Sequence, residues 1–231
     1  SALMLFGTMI ISAVMGVPVY RDFEYNFHEI MFTTPVKKVE YLGGRFIGSY
    51  ITALFIFSGI IFGMLLGFIM PWVDKEQIGP FMFSAFLVPT LQFLLPNLFL
   101  LGAIFFSLGS LLRNQLVIFV QGIIFFILYL ILDSASGDAE SRPILSLLDP
   151  FGLAPAFSST RYWTPAEKNT LTIPFESYLL WNRVLWISVA CIISFICFKL
   201  FTFTKAAPQV SRKKKFVQQK NADNTFAVIT P

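Results

Sequence analysis

The sequence predicts an all-α fold of the polytopic membrane-spanning kind, a bundle of five helical spans with a short amphipathic helix at one surface. Three observations predict it. Hydrophobic residues make up 56% of the 231 residues and charged residues only 13%, against roughly 25% charge in soluble domains. The apolar residues gather in five long runs, and lysine and arginine concentrate at alternate ends of those runs. A water-soluble globule of this size needs more polar surface than these residues supply, so lipid must solvate the remainder.

A helix rising about 1.5 Å per residue needs about 20 apolar residues to cross a hydrocarbon core of about 30 Å. Ser1 to Val19, Phe46 to Met70 and Phe81 to Leu112 carry no charge, and Leu116 to Leu132 with Leu179 to Phe203 complete the set. Membrane-spanning strands would instead alternate in polarity over stretches of about ten residues. The run Phe81 to Leu112 is about 48 Å long if straight, so it must tilt or bend, and Pro89 and Pro96 mark the expected bend points. Cys191 and Cys197 share the last run on different helix faces, which excludes a disulfide between them and leaves two small apolar residues. Of the 28 phenylalanines, Phe55, Phe57, Phe62, Phe105 and Phe106 fall inside apolar runs. They are expected in lipid rather than on a base-stacking surface, and nucleic acid is not a partner.

Orientation follows from the basic residues. Arg21, Lys37, Lys38 and Arg45 lie between the first two spans, Arg113 follows the third, and Lys205, Arg212 to Lys215 and Lys220 lie in the tail. These segments are expected in the cytoplasm. The opposite loops, 71–80 and 133–178, hold Lys75, Arg142, Arg161 and Lys168 against eight acidic residues between Asp74 and Glu176. All five spans obey the alternation. Ser1 to Val19 has no basic start and no small-residue cleavage site, so it is read as a span rather than a signal peptide. Its start inside an apolar run, and a tail that stops without closing structure, lead to the expectation of a larger chain on both sides. The membrane domain is assigned to 1–204, and 205–231 to a basic, polar cytoplasmic tail or linker.

Between the first two spans, Phe23, Phe27, Ile30 and Met31 recur at helical spacing, with Arg21, Asp22, Glu24, His28 and Glu29 opposite. That pattern predicts an amphipathic surface helix. Pro35 disfavours helix at Thr34, which is then placed to cap a second short helix beginning at Pro35 and ending at the Gly43-Gly44 pair. The pattern alone equally fits an interfacial helix that anchors the loop.

The run R-D-F-E-Y-N-F-H-E-I-M-F-T-T-P-V-K-K-V-E-Y-L-G-G-R-F resembles the segment after the second span of type 2 ABC exporter permeases. A second stretch, L-D-P-F-G-L-A-P-A-F with R-Y-W-T-P-A-E-K-N-T and L-L-W-N-R, resembles the permease modules of bacterial chains that can be fused to a gluzincin aminopeptidase. The resemblance covers nearly the whole chain and implies six spans per module, the first of which is missing here. It implies a coupling helix that docks on a separate ABC ATPase subunit through Arg21, Asp22, Phe23, Glu24, Phe27, Glu29, Thr34 and Pro35. A second permease copy or module, ATP bound by the partner, and a bacterial inner-membrane location are further implications. In the loop 133–178, where Pro143, Pro150, Pro155, Pro165 and Pro174 favour short pieces, it implies re-entrant or gating helices.

Polar residues inside spans mark pathways in some membrane proteins and helix contacts in others. Asn97 is the first candidate for a substrate path, with Gln92 and Gln121 behind it. Asn182 and Arg183 lie one turn from the outer end of their helix, where Arg183 is expected to snorkel to the interface beside Trp181 and Trp186. No catalytic or metal site is expected. The sequence has no G-x-x-x-x-G-K-[ST] loop, its single histidine, His28, cannot make an H-E-x-x-H motif, and no serine-histidine-acid arrangement suggests itself because every external acidic residue lacks a histidine on the same side. Arg212 to Lys215 could meet anionic lipid but reads first as a topology determinant, and Gln218 to Asn224 reads as linker. Two other functions compete: a membrane anchor for a fused or associated peptidase, and a secondary transporter. The latter should show inverted repeats and ionisable midplane residues, whereas four of the five spans have charge-free cores.

Overall fold

The computed structural model describes residues 2–27, 30, 35–71, 81–135, 147–175 and 177–202, and residues 1–201 form one compact unit. All regular secondary structure among the described residues is helical. Three helices are long and apolar enough to cross a membrane, Lys38–Gly67, Ser84–Leu112 and Tyr178–Leu200, with Gln115–Ile131 a shorter apolar one. These helices mark the chain as a membrane protein. The sequence-based expectations at Glu29, Thr34, His28 and Met31, and in the tail from residue 203, lie outside the described residues.

Helix α1 spans Ala2–Glu24. The apolar run and the start of the expected surface helix are therefore one continuous helix, which turns at Asn26 in the left-handed conformation (φ 56°) that asparagine tolerates. Helix α2 runs over Lys38–Ile69. It starts three residues after Pro35, where Glu40 reaches back to accept a hydrogen bond from the Lys37 amide at 3.2 Å. No break occurs at Gly43-Gly44. The burial of Tyr41 and Leu42 on one side of the pair and an ion pair of Arg45 on the other hold the helical register against the glycine penalty.

The third apolar run forms a rod of three pieces, α3 (Ser84–Pro89), a π-helical turn (Thr90–Leu94) and α4 (Leu95–Leu112). The prolines explain the wide turn. Pro96 has no N–H and its ring would strike the carbonyl four residues back, and widening the helix to the Leu95 N–H to Thr90 carbonyl bond accommodates it. Arg113, left-handed at φ 47°, ends the rod, and Asn114 Oδ1 accepts the Leu116 amide at 2.9 Å to start α5, Gln115–Ala135. Two short helices follow, α6 (Leu153–Thr160) and α7 (Pro165–Thr170), before α8 (Ser177–Leu200).

Helix α1 lies in the seam between α4 and α5, and small residues bring the backbones together. A Cβ at Gly109 would fall 2.2 Å from the Gly16 carbonyl oxygen, and one at Gly122 would fall 3.1 Å from the Thr8 carbonyl oxygen. Without a hydrophobic driving force between helices in lipid, such close packing and buried hydrogen bonds hold a bundle together. Ser12 donates to the Ile118 carbonyl, and Gln121 donates to Ser12 Oγ at 2.9 Å. On the other side of α4, Leu100 and Ala103 meet Ala190 of α8.

Candidate functional site

Two polar clusters stand about 24 Å apart along the rod, the distance from Asn97 to Arg113 at a helical rise. The first gathers the ends of α1, α2, α4 and α8. Asp22 is buried and accepts from Tyr41 Oη at 2.9 Å and from Arg45 Nη2 at 2.6 Å. One turn of sequence explains the pairing: Tyr41 and Arg45 are four residues apart and so share the α2 face that meets α1. Next to the carboxylate, the Arg113 guanidinium lies 3.7 Å from the Phe23 ring centre and 5.3 Å from that of Phe201. Phe201 in turn stacks against Tyr41 at 5.9 Å. Lys38 Nζ donates to the Lys199 carbonyl at 3.4 Å and lies over the Phe198 ring.

Asp22 was expected on the solvated face of an amphipathic helix, and the structure instead buries it as the link between α1 and α2. Phe23 belongs to the aromatic contacts of Arg113. Arg21, Glu24 and Phe27 are exposed, and Arg21, Asp22 and Phe27 border one open cleft between α1 and α2. Pro35 is exposed in the extended approach to α2.

The second cluster is built around the turn Leu147–Gly152. The Gly152 amide donates to the Asp149 carbonyl at 3.2 Å, closing a turn with Pro150 at its second position. The Asp149 carboxylate accepts from the Phe151 and Ala154 amides at 2.9 and 2.7 Å, so it also satisfies the start of α6. Three long helices grip this turn. Asn182 donates to the Leu147 and Asp149 carbonyls at 3.0 and 2.8 Å, and Trp186 Nε1 to the Leu147 carbonyl at 3.1 Å. Arg183 donates to the Phe151 carbonyl and, at 2.7 Å, to Asn97 Oδ1, while Asn97 Nδ2 donates to the same carbonyl at 3.2 Å. The Phe151 ring meets Phe125 and Tyr129 of α5 edge to face.

Arg183 therefore does not snorkel. It is 2% exposed, and carbonyl and amide oxygens close at hand reward an inward guanidinium more than the interface would. Gly152 makes the arrangement possible. Its φ of +70° suits glycine, and a Cβ there would fall 1.4 Å from Arg183 Nη2. The three path candidates are not brought together. Asn97 lines a largely apolar cavity of about 570 Å³ between α1, α2 and the rod. Gln92 donates to the Ile173 carbonyl at 3.2 Å, and Gln121 faces α1.

Sequence reasoning missed Tyr41, Arg113, Asp149 and Gly152 as site residues. For the last two a signal existed in Asp-Pro-x-Gly, a turn signature preceding a helix. No group of histidine, cysteine or acidic residues with the arrangement of a metal site occurs among the described residues. Comparison of the chain with protein-family models, with curated proteins and with solved structures gave no match.

Proposed function

We propose that the chain is the membrane-spanning permease subunit of an ATP-driven transporter of the type 2 exporter class, with α1 and α5 spanning the bilayer beside the three long apolar helices. It pairs with a second permease copy or module and with separate ATPase subunits that bind the ATP. The segment from Arg21 to Gly44 and the tail face the cytoplasm of a bacterial inner membrane, and the chain itself carries no hydrolase site. One observation supports this most: the root of the segment is fastened to three further helices. Asp22 holds α2 through Tyr41 and Arg45, and Phe23 meets Arg113 at the end of α4 and Phe201 beyond α8. A motor gripping Arg21, Glu24, Phe27, Glu29 or the Thr34-Pro35 elbow would deliver its push to four helices at once, which a loosely attached surface helix could not do. At the other end, Asn97 joins the cavity wall to the turn held by Arg183, so a rearrangement of the turn would reshape the cavity.

The test uses the full chain reconstituted in liposomes with an ABC ATPase subunit that co-purifies with it. Phe27 is 48% exposed, so Phe27→Ala should leave insertion and thermal unfolding unchanged while permease-stimulated ATP hydrolysis falls by about tenfold, the equivalent of about 1.4 kcal/mol of docking. Full stimulation in that variant refutes the reading. So does labelling of a cysteine at position 27 by an impermeant thiol reagent added outside intact cells. A complex holding a peptidase and no ATPase would favour the anchor function.

A further inference from the structure

The cleft between α1 and α2 has a use that the docking of a motor does not require. It encloses about 810 Å³ and is polar at its mouth, where Arg21 and Arg45 stand, and narrow-walled below, where Val14, Val17, Gly48 and Thr52 face each other. Gly44 and Gly48 are the telling residues. A helix loses about 1 kcal/mol at each glycine relative to alanine, yet a Cβ at either would meet nothing within 4 Å. Gly43, Gly59, Gly63 and Gly67 of the same helix are equally clear, so what sets Gly44 and Gly48 apart is their place in the wall of the cleft, a trough that runs about 12 Å from Gly44 to Thr52.

From the geometry we infer that this trough binds one anionic phospholipid, its phosphate against Arg21 and one acyl chain lying along Val14, Val17 and Gly48. Charge decides the class. Among the described residues at this end, Arg21, Lys37, Lys38, Arg45, Arg113 and Lys199 stand against Asp22, Glu24 and Glu40. Asp22 is engaged by Arg45, and among the described residues the exposed Arg21, 5.8 Å from the Tyr25 ring centre, is the charge at the mouth that an anion would meet. Basic mouths between membrane-spanning helices suit anionic headgroups. A second copy of the chain would bring its own basic end to the same mouth, which like-charge repulsion opposes. The site depends only on the basic end lying at the membrane surface and not on the transporter reading.

The experiment is native mass spectrometry of the full chain released from nanodiscs of phosphatidylcholine alone or mixed with phosphatidylglycerol. One phosphatidylglycerol per chain should survive at several times the occupancy of phosphatidylcholine. Arg21→Gln should lower that occupancy about fivefold, the loss of one basic contact, and Arg21→Lys should restore most of it. Gly48→Leu has room for its side chain, so it should keep the wild-type unfolding temperature and lose the lipid. Free glycerol phosphate should not compete, because it lacks the chain. Equal retention of the two lipids, retention by Gly48→Leu, competition by glycerol phosphate, or a dimer whose formation Gly48→Leu abolishes would each overturn the proposal.

Discussion

Each polar cluster is centred on an arginine, and the two arginines settle their charge in opposite ways. Arg45, with 35% of its side chain exposed, meets a carboxylate at 2.6 Å. Arg183, 2% exposed, meets a backbone carbonyl and an amide oxygen, with Asp149 acting on it through space rather than in contact. If the pair separates, water takes over the half-exposed Arg45 guanidinium, whereas the Asp22 carboxylate, 8% exposed, keeps the Tyr41 hydroxyl but gains little water. A guanidinium enclosed by carbonyls has no such alternative, since leaving would strand it and its acceptors together. The comparison gives the two ends different characters: a junction with one partner open to water at the basic end, and a fastening with neither open at the other.

The largest effect is expected where the fastening admits no side chain. Gly152→Ala should cost about 2–3 kcal/mol, because the methyl occupies the guanidinium's place and the positive φ adds about 1 kcal/mol of strain. In an Arg183→Ala background the clash is gone, so the same change should cost only the backbone strain, about 1 kcal/mol. Thermal unfolding of the four proteins in one detergent measures this cycle. Additive costs would show that the turn does not rest on Arg183.

The difference between the ends also explains what could be read from the sequence. Hydropathy is a property of neighbours in the chain, so Phe46 to Met70, Phe81 to Leu112 and Leu179 to Phe203 correspond closely to three long helices, α2, the rod and α8. The two polar clusters were harder. The pair Gly43-Gly44 argues for a break by local propensity, and it was overridden by Tyr41 and Arg45, whose partner Asp22 is 23 positions from Arg45. Arg183 and Asn97 are 86 positions apart. No local pattern reports that a carbonyl waits inside the bundle, so a terminal arginine beside tryptophans reads as snorkelling.

A smaller effect is expected at the basic end, and salt should separate it from the first. Asp22→Asn keeps the acceptor for Tyr41 and loses the charge opposite Arg45, which for a pair with one partner buried and one half-exposed is worth about 1–2 kcal/mol. Raising the ionic strength should shrink that difference, because a charge pair within reach of water is screened. The destabilisation caused by Gly152→Ala, an effect of packing behind a dry wall, should not change with salt. If both respond alike, the two ends do not differ in the way their burial implies.

The smallest effect lies in α7, beyond the gripped turn. The Glu167 carboxylate accepts from the Thr164 amide at 2.7 Å and from its hydroxyl at 2.8 Å, while Thr164 Oγ1 accepts from the Glu167 amide. These bonds, the backbone one first, hold the Glu167 carboxyl below its ordinary value. A depressed folded-state value means that the cap stabilises α7 above the ordinary glutamate range and is lost as the pH falls through the folded value. Amide exchange over residues 165–170, corrected for intrinsic rates, should therefore lose protection on acidification below the ordinary glutamate range. At neutral pH, protection around Phe151 should exceed that of α7, because its amide is held by the buried Asp149 and the turn by Arg183. Thr164→Ala should weaken the pH dependence in α7 by removing the hydroxyl, while the backbone bond to residue 164 remains, and Glu167→Gln should remove it altogether. Protection over 165–170 that is indifferent to pH in the wild type would mean that α7 is held by packing rather than by its cap.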